Sequence, residues 1–393
     1  MADRSFLSWP FFDARHQDLH DRVEAWAAAS VEALTRDSES SAAAAATVRR
    51  LAAAMGQAGF LATAVGGGEG ALHGPLDARS LCICREVLAR HAGLADFAFA
   101  MQGLGTGPIG LFGTDEQKAR WLPAVAQGKT ISAFALSEAE AGSDVSALAM
   151  RASPDGNQWR LDGAKTWISN AGIADLYVVF ARTGEAPGAK GLSAFVVEAD
   201  TPGFSVAKTI DLNAPHPIGS LSFDGVKVLS THMLGKPGDG FRIAMATLDV
   251  FRSTVGAAAL GFARRALDEA VRHARARKLF GQSLSDFQLT RAKFADMAVA
   301  IDAAALLIYR AAWTKDVKGA RVSRESSMAK LFATEEAQKV IDAAVQIFGG
   351  LGVIHGHIAE KLYREIRALR IYEGASEIQK LVIATRLLAD AET

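Results

Sequence analysis

Cysteine is almost absent from this chain: Cys82 and Cys84 are the only two in 393 residues. Two thiols, spaced two apart in a segment with helical periodicity, exclude a disulfide framework and a four-ligand metal site by arithmetic. They read as packing residues of a cytoplasmic protein. An excess of either charge is also lacking, since 43 basic residues balance 43 acidic ones and no block of like charges stands out. Bulk nucleic-acid binding, which leaves a basic excess or stripe, is thereby disfavoured. The first ten residues, Met1 to Pro10, carry no basic region followed by a sustained apolar run, so no secretory signal is expected. No apolar run approaches bilayer-spanning length, so no membrane insertion is expected. The glycine-rich Val65-Gly66-Gly67-Gly68-Glu69-Gly70 lacks the Gly-Lys-Ser/Thr ending of a phosphate loop and follows no clear strand, and it reads as a connection between helices.

What is present is a chain long enough for two or three domains, half of it apolar, so that a large core is easily filled. Residues 1–129 read as helical: His16 to Leu34, Ser41 to Ala58 and Ala78 to Arg90 carry an amphipathic period, and Thr114-Asp115-Glu116-Gln117 offers an N-cap with acids in the following turn. At about Thr130 the period changes. Ile131 to Leu136, Leu176 to Arg182, Leu192 to Glu198, Phe204 to Ala207 and Leu221 to Val228 are strand-like, and Asn157 to Ile168 reads as a hairpin about Asp162-Gly163. Residues 130–237 thus form a mostly antiparallel β domain. In 238–393 the helical period returns, with long helices at Asp249 to Arg275, Phe287 to Val317 and Ser323 to Phe348, the last closed by Gly349-Gly350. The fold class is α+β, mainly α: a helical domain, an antiparallel β-barrel-like domain and a C-terminal four-helix bundle.

Five short stretches carry polar or special residues where plain element building would not put them. The most informative is Arg367-Ala368-Leu369-Arg370-Ile371-Tyr372-Glu373-Gly374-Ala375-Ser376-Glu377-Ile378-Gln379, in which an acid follows an apolar-aromatic pair and precedes a glycine. A carboxylate presented at a bend into an apolar space is what a general base requires, because desolvation raises its pKa towards working pH. The same acid could also cap the helix that resumes behind it. The others are Ala135 to Ala147, leaving a strand into a loop rich in small hydroxyl residues; Lys165 to Gly172, where Trp167 and Ser169 emerge at a strand end; Arg277-Lys278-Leu279-Phe280-Gly281-Gln282; and Gln346 to Gly352. Each alone is also explained by a turn, a buried tryptophan, a solvated charge pair or a helix C-cap.

In this order and spacing the five stretches resemble the acyl-CoA dehydrogenase family of flavoproteins, and the resemblance spans essentially the whole chain, weakest over the first hundred residues. It implies FAD as cofactor. Phe134, Leu136, Ser137, Gly142 and Ser143 match the segment lining the flavin ring, with Ser143 also touching the CoA side. Trp167, Ile168 and Ser169 match the strand end packing against the flavin near N5. Arg277, Phe280 and Gln288, with Gln346, Ile347, Gly349 and Gly350, match residues that hold the FAD pyrophosphate and adenosine of a neighbouring subunit, which implies a homo-oligomer, usually a tetramer. Ala375, Ser376 and Glu377 fall near the FAD phosphates. On the substrate side lie Asp249, Arg252, Tyr372 and Gly374, and Glu373 matches the catalytic base. A minority of the family carries its base on the long helix, at the position of Phe251, which cannot take a proton.

The implied reaction is α,β-dehydrogenation of an acyl-CoA thioester in fatty acid metabolism, with Glu373 removing the α-proton, flavin N5 receiving the β-hydride, and an electron-transfer flavoprotein as acceptor. Alternatives that share the fold are an oxygen-reactive oxidase or monooxygenase, or a non-catalytic DNA-associated relative; a carrier-protein thioester in place of CoA also stays open. Phe97, Phe99, Met101 and Gln102 fall near the family's acyl pocket. The sequence departs from the family at Val353, Gly356 and Ala375 and in the Val65 to Leu76 loop.

Overall fold

The computed structural model describes residues 4–66, 76–184, 186–319 and 321–391; most of the glycine-rich connection lies outside them. The first helices are α1 (Ala14–Thr35), α2 (Ser41–Gln57), α3 (Leu61–Val65), α4 (Ala78–His91), α5 (Gly93–Phe112) and α6 (Asp115–Ala126). Local chemistry sets several of their ends. The Ser40 side chain accepts from the Ala43 amide ahead of α2, and Thr114 and Gln117 close a reciprocal capping box on α6. Helix α5 escapes a reading by propensity, because Gly103, Gly105, Gly107, Pro108 and Gly110 are all poor helix formers. It forms because every residue from Leu94 to Ile109 is buried, so packing overrides propensity.

An eight-stranded sheet follows: β1 (Ser132–Ala135), β2 (Arg151–Asp155), β3 (Gln158–Ser169), β4 (Leu176–Arg182), β5 (Leu192–Glu198), β6 (Phe204–Ile210), β7 (Ile218–Leu229) and β8 (Met233–Leu234). Its order is β6-β7-β3-β2-β4-β5-β8, with β1 pairing β4. All pairs are antiparallel except those of β4 with β1 and β2. Strands β4 and β5 are buried on both faces, which is why Leu176 to Ala181 and Leu192 to Val197 are nearly continuous apolar runs. The expected hairpin about Asp162-Gly163 is not there. Residues 158–169 are one strand, and Asp162-Gly163 marks a bulge, seen as a register shift against β7 between Leu161 and Gly163. The hairpin turn is instead at Gly156, between β2 and β3, with φ of 62°. An Asp-Gly pair serves a bulge as readily as a turn, since both need a residue free of Cβ constraints.

The C-terminal part contains α7 (Gly240–Ala276), a two-strand hairpin of β9 (Lys278–Leu279) and β10 (Gln282–Ser283), α8 (Gln288–Lys318), α9 (Ser323–Phe348), α10 (Ile358–Leu369) and α11 (Ser376–Ala391). Contrary to the expectation from apolar run length, α7 is long and apolar enough to cross a bilayer. Most of its apolar stretch is buried within the protein, as in the core helix of a bundle. The chain therefore has the three-domain fold expected, with an N-terminal helical part, a middle sheet and a C-terminal helical part. By packing it divides differently, into two compact units. One joins residues up to 32, 78–96 and 249 onward; the other joins 33–77 and 97–248. The core of the first is an alanine-rich seam from α4, α7, α8 and α9, where small side chains let long helices approach closely.

Candidate active site

In the first unit the sequence builds one charged cluster inside an otherwise apolar bundle. After α10 ends at Leu369 the chain makes a turn in which Glu373 has φ of 54° and Gly374 φ of 93°. A left-handed glutamate is uncommon and costs backbone energy unless its surroundings hold it. Two donors converge on the Gly374 carbonyl: Lys330 Nζ at 2.5 Å and Gln379 Nε2 at 2.8 Å. Gln379 Nε2 also reaches the Glu373 carbonyl at 3.3 Å. A Cβ on Gly374 would lie 2.5 Å from Gln379 Nε2, so glycine is needed there for space as well as for φ. A further brace comes from Glu335, which receives Arg370 Nε at 2.9 Å and the Ser376 hydroxyl at 2.5 Å.

The Glu373 side chain has one carboxylate oxygen, Oε2, that is shut off from solvent and has no hydrogen-bond partner among the described residues. Burial pushes its carboxyl above the ordinary glutamate value; Arg85, Lys330 and Arg252 pull it back, and Asp96 pushes it up again. Burial wins. The surrounding charges are themselves fixed. Arg85, on α4 and fully buried, meets Asp96 through two bonds of 2.7 and 2.8 Å and donates to the Thr254 hydroxyl at 2.9 Å. Burial alone would lower the Arg85 pKa, but the charge and hydrogen bonds of Asp96 hold the guanidinium protonated. Arg252 donates to Asp249 at 2.7 Å, and Asp249 also accepts from Ser323 at 2.6 Å. Lys330, inside the bundle, is pulled down to about 8 by burial, with Glu373 acting in the opposite direction.

Of the residues singled out from sequence, Glu373, Gly374, Ser376, Asp249 and Arg252 are brought into this cluster, while Tyr372 stays about one-third exposed at its edge and Glu377 faces solvent. Phe251 is buried and its carbonyl accepts from Thr254. Sequence reading missed Arg85, Asp96, Thr254, Lys330 and Gln379. The signal for Lys330 was its phase: it sits among Ser326, Ser327, Ala329, Ala333 and Thr334, on the buried face of α9. A lysine there is costly unless it has work to do.

The second unit brings the loop after β1 together with the end of β3. The buried Lys165 donates to the Leu136 carbonyl at 2.9 Å and pairs with Glu138 at 2.8 Å. The Thr166 amide donates to the Ser137 carbonyl at 3.0 Å, and Glu138 receives the amides of Ala149 and Met150. Burial lowers the Lys165 pKa to about 8 against the pull of Glu138. Strict alternation would put Lys165 and Trp167 on one face. A second bulge, between Lys165 and Ile168, reverses this: Trp167 takes φ of 59° and is 59% exposed, while Lys165 and Ile168 stay buried. Phe134 and Ser169 are half-buried, Leu136 is buried, and Gly142 and Ser143 are exposed with open space beside Gly142. An exposed aromatic plane beside hydroxyls and an unobstructed glycine backbone suits a planar heteroaromatic ring such as a flavin.

The remaining predicted cofactor residues belong to the first unit. Phe280 and Gly281 form the two-residue turn between β9 and β10 with φ of 49° and 84°, and Phe280 is 94% exposed. A bulky residue in that conformation is uncommon, and within the chain its ring meets only the edge of Phe287 at 6.4 Å among the described residues. Arg277, Gln288, Gln346, Gly349 and Gly350 are exposed, with nothing near where a Cβ of either glycine would lie, so cation, amide and open backbone are available to a pyrophosphate. Ile347 is packed in the core instead and Ala375 is half-buried.

The first unit thus offers a left-handed turn whose glutamate carboxyl is raised by burial, and the second, taken by itself, an exposed tryptophan at the end of a strand tied to a hydroxyl-rich loop. Comparison with known proteins gives the class, a flavin-dependent oxidoreductase. Models of the acyl-CoA dehydrogenase N-terminal, middle and C-terminal domains match residues 13–129, 133–226 and 238–388. The 3-(aryl)acrylate reductase of Clostridium sporogenes is 41% identical over 326 residues, 82% of this chain and 85% of that one. The human mitochondrial short-chain specific acyl-CoA dehydrogenase is 42% identical over 340 residues, 85% of this chain and 81% of that one. Among solved structures, butyryl-CoA dehydrogenase of Megasphaera elsdenii superposes with a TM-score of 0.87 at 33% identity, covering 96% of this chain and 99% of the other. The chain belongs to the acyl-CoA dehydrogenase family of FAD-dependent oxidoreductases.

Proposed function

We propose that this protein catalyses α,β-dehydrogenation of an acyl-CoA thioester with Glu373 as the base that takes the α-proton. The observation that carries the reading is the Glu373 carboxylate: set on a left-handed turn, with a buried unpartnered oxygen and a pKa raised by burial, it is ready to accept a proton that water would otherwise compete for. FAD would be held by Phe134, Leu136, Ser137, Trp167 and Ser169 at its ring and by Arg277, Phe280, Gln288 and Gln346 to Gly350 at its phosphates and adenosine, and when bound it supplies a two-electron acceptor for the β-hydrogen. Every other part of the step falls to this chain. Arg252, oriented by Asp249, offers a fixed cation to the polar part of the thioester. Lys330 and Gln379, both donating to the Gly374 carbonyl, keep the Glu373–Gly374 turn from relaxing to an ordinary one. Proton transfer neutralises the carboxylate, and the pull of Arg85, Lys330 and Arg252 against burial keeps that proton releasable once the product leaves.

The proposal extends to an electron-transfer flavoprotein as physiological acceptor and to a homo-oligomer, with the mass in solution as the check on the latter. Leu289 and Val299 on α8 and Leu381, Leu387 and Leu388 on α11, all more than half exposed, are apolar side chains that an oligomer interface could cover. The base is tested directly by hydrogen exchange. In D2O the FAD-loaded protein exchanges the α-hydrogens of a 3-thia-acyl-CoA, whose sulfur blocks oxidation, and Glu373→Gln slows that exchange at least a hundredfold. Equal exchange in both proteins would remove Glu373 from the reaction.

A further inference from the structure

We propose that Lys330 is a positioning residue for the base: it pins the Glu373–Gly374 turn through the Gly374 carbonyl, and its charge keeps the carboxylate able to ionise inside the bundle. The inference rests on the reading of Glu373 as the proton acceptor and concerns a residue that never touches the reacting atoms.

Three cations act on Glu373: Arg85 from α4, Arg252 from α7 and Lys330 from α9, set against Asp96 from α5. Glu335 and Glu377 act on Lys330 from α9 and α11. The three cations are not equivalent. Arg85 is taken up by two hydrogen bonds to Asp96, and Arg252 by Asp249. Each brings its own counter-charge. Lys330 has no carboxylate within ion-pair distance among the described residues, and its one hydrogen bond goes to the turn itself, at 2.5 Å. It is 1% exposed, so its ammonium has given up its water for a single carbonyl and the field of Glu373.

The turn needs such a device. Glu373 and Gly374 both have positive φ, and a non-glycine residue in that region relaxes unless something over-determines it. Lys330 and Gln379 do so from opposite directions in the chain, one 44 residues before the carbonyl they share and one five residues after it. Because the Lys330 hydrogen bond is charge-assisted, it is the stronger of the two. A lysine here thus couples two properties of the base, its direction and its charge state, through one side chain.

The test separates these properties. Lys330→Met keeps length and loses both donor and charge; Lys330→Gln keeps a donor and loses charge; Lys330→Arg keeps charge. In the FAD-loaded proteins, α-hydrogen exchange of a 3-thia-acyl-CoA is followed against pH, and the Glu373 carboxyl is titrated by infrared difference against Glu373→Gln. In Lys330→Met the exchange plateau falls about tenfold, and the acid-side midpoint and the infrared midpoint rise together by about one pH unit, the order expected when a nearby cation is removed. Lys330→Gln raises the midpoint equally, and Lys330→Arg returns it to the wild-type value. Were Lys330→Met too unstable to purify, the Gln and Arg pair would decide on the midpoint alone. A folded Lys330→Met or Lys330→Gln with an unmoved midpoint overturns the role of Lys330 while leaving Glu373 as base. Undiminished exchange in Glu373→Gln overturns both.

Discussion

At the scale of single residues, the site is a set of side chains kept where folding alone would not put them. Glu373 is the clearest. An acid whose pKa is raised on folding holds a proton in the folded chain that the unfolded chain has already released. Stability therefore falls as pH rises from the ordinary glutamate value of 4.5 towards the folded one, and stays lower above it. Glu373→Gln should then raise the melting temperature at pH 7 to 8 and lose that advantage near pH 4. The gain is roughly 1.4 kcal/mol for each pH unit by which the carboxyl is displaced. Scanning calorimetry of both proteins at the two pH values checks it, and a Gln variant less stable at pH 8 would show that the three cations, not burial, govern the carboxyl. The Tyr372-Glu373-Gly374 run announced a bend and an acid. The residues that hold the bend could not be read the same way: Lys330 precedes Glu373 by 43 positions and Arg85 by 288, and only the packing of α4 and α9 makes them neighbours.

At the scale of elements, strands β4 and β5 and the helices of the C-terminal part were legible because each has one strong period over a long stretch. What misled was glycine. In α5 it hid a helix that burial enforces, and at Asp162-Gly163 it suggested a turn where the strand only bulges. The bulge at Trp167 was likewise invisible, although it decides which of Lys165 and Trp167 meets water. That choice has a consequence. Lys165 ties the loop after β1 to β3 by its bonds to Leu136 and Glu138, and Ser137 and Trp167 are carried by those two segments. Lys165→Met should loosen the loop, leave Glu138 to its two backbone donors, and weaken flavin retention about tenfold with little change in helical content. Flavin stoichiometry after gel filtration and far-ultraviolet circular dichroism read the two effects separately; full flavin retention would mean that the loop is held by its backbone alone.

At the scale of the whole molecule, the chain runs helices, sheet, helices, yet its packing joins α4 and most of α1 to the C-terminal bundle. The base cluster depends on this: Arg85 and Asp96 come from the first hundred residues, where the resemblance to the family is weakest, and Glu373 from the last twenty-one. A sequence read from end to end assigns the early helices to a domain of their own and so misses their part in the site. One titration both identifies the acyl group and tests Glu373 as the base. Purified protein loaded with FAD is titrated anaerobically with acyl-CoAs of varied length, branching and ring content while the flavin absorbance is followed. The account predicts that one class of thioester bleaches the wild-type flavin at a rate Glu373→Gln fails to reach by at least a hundredfold, with flavin content unchanged. Bleaching of both proteins at equal rates would contradict it.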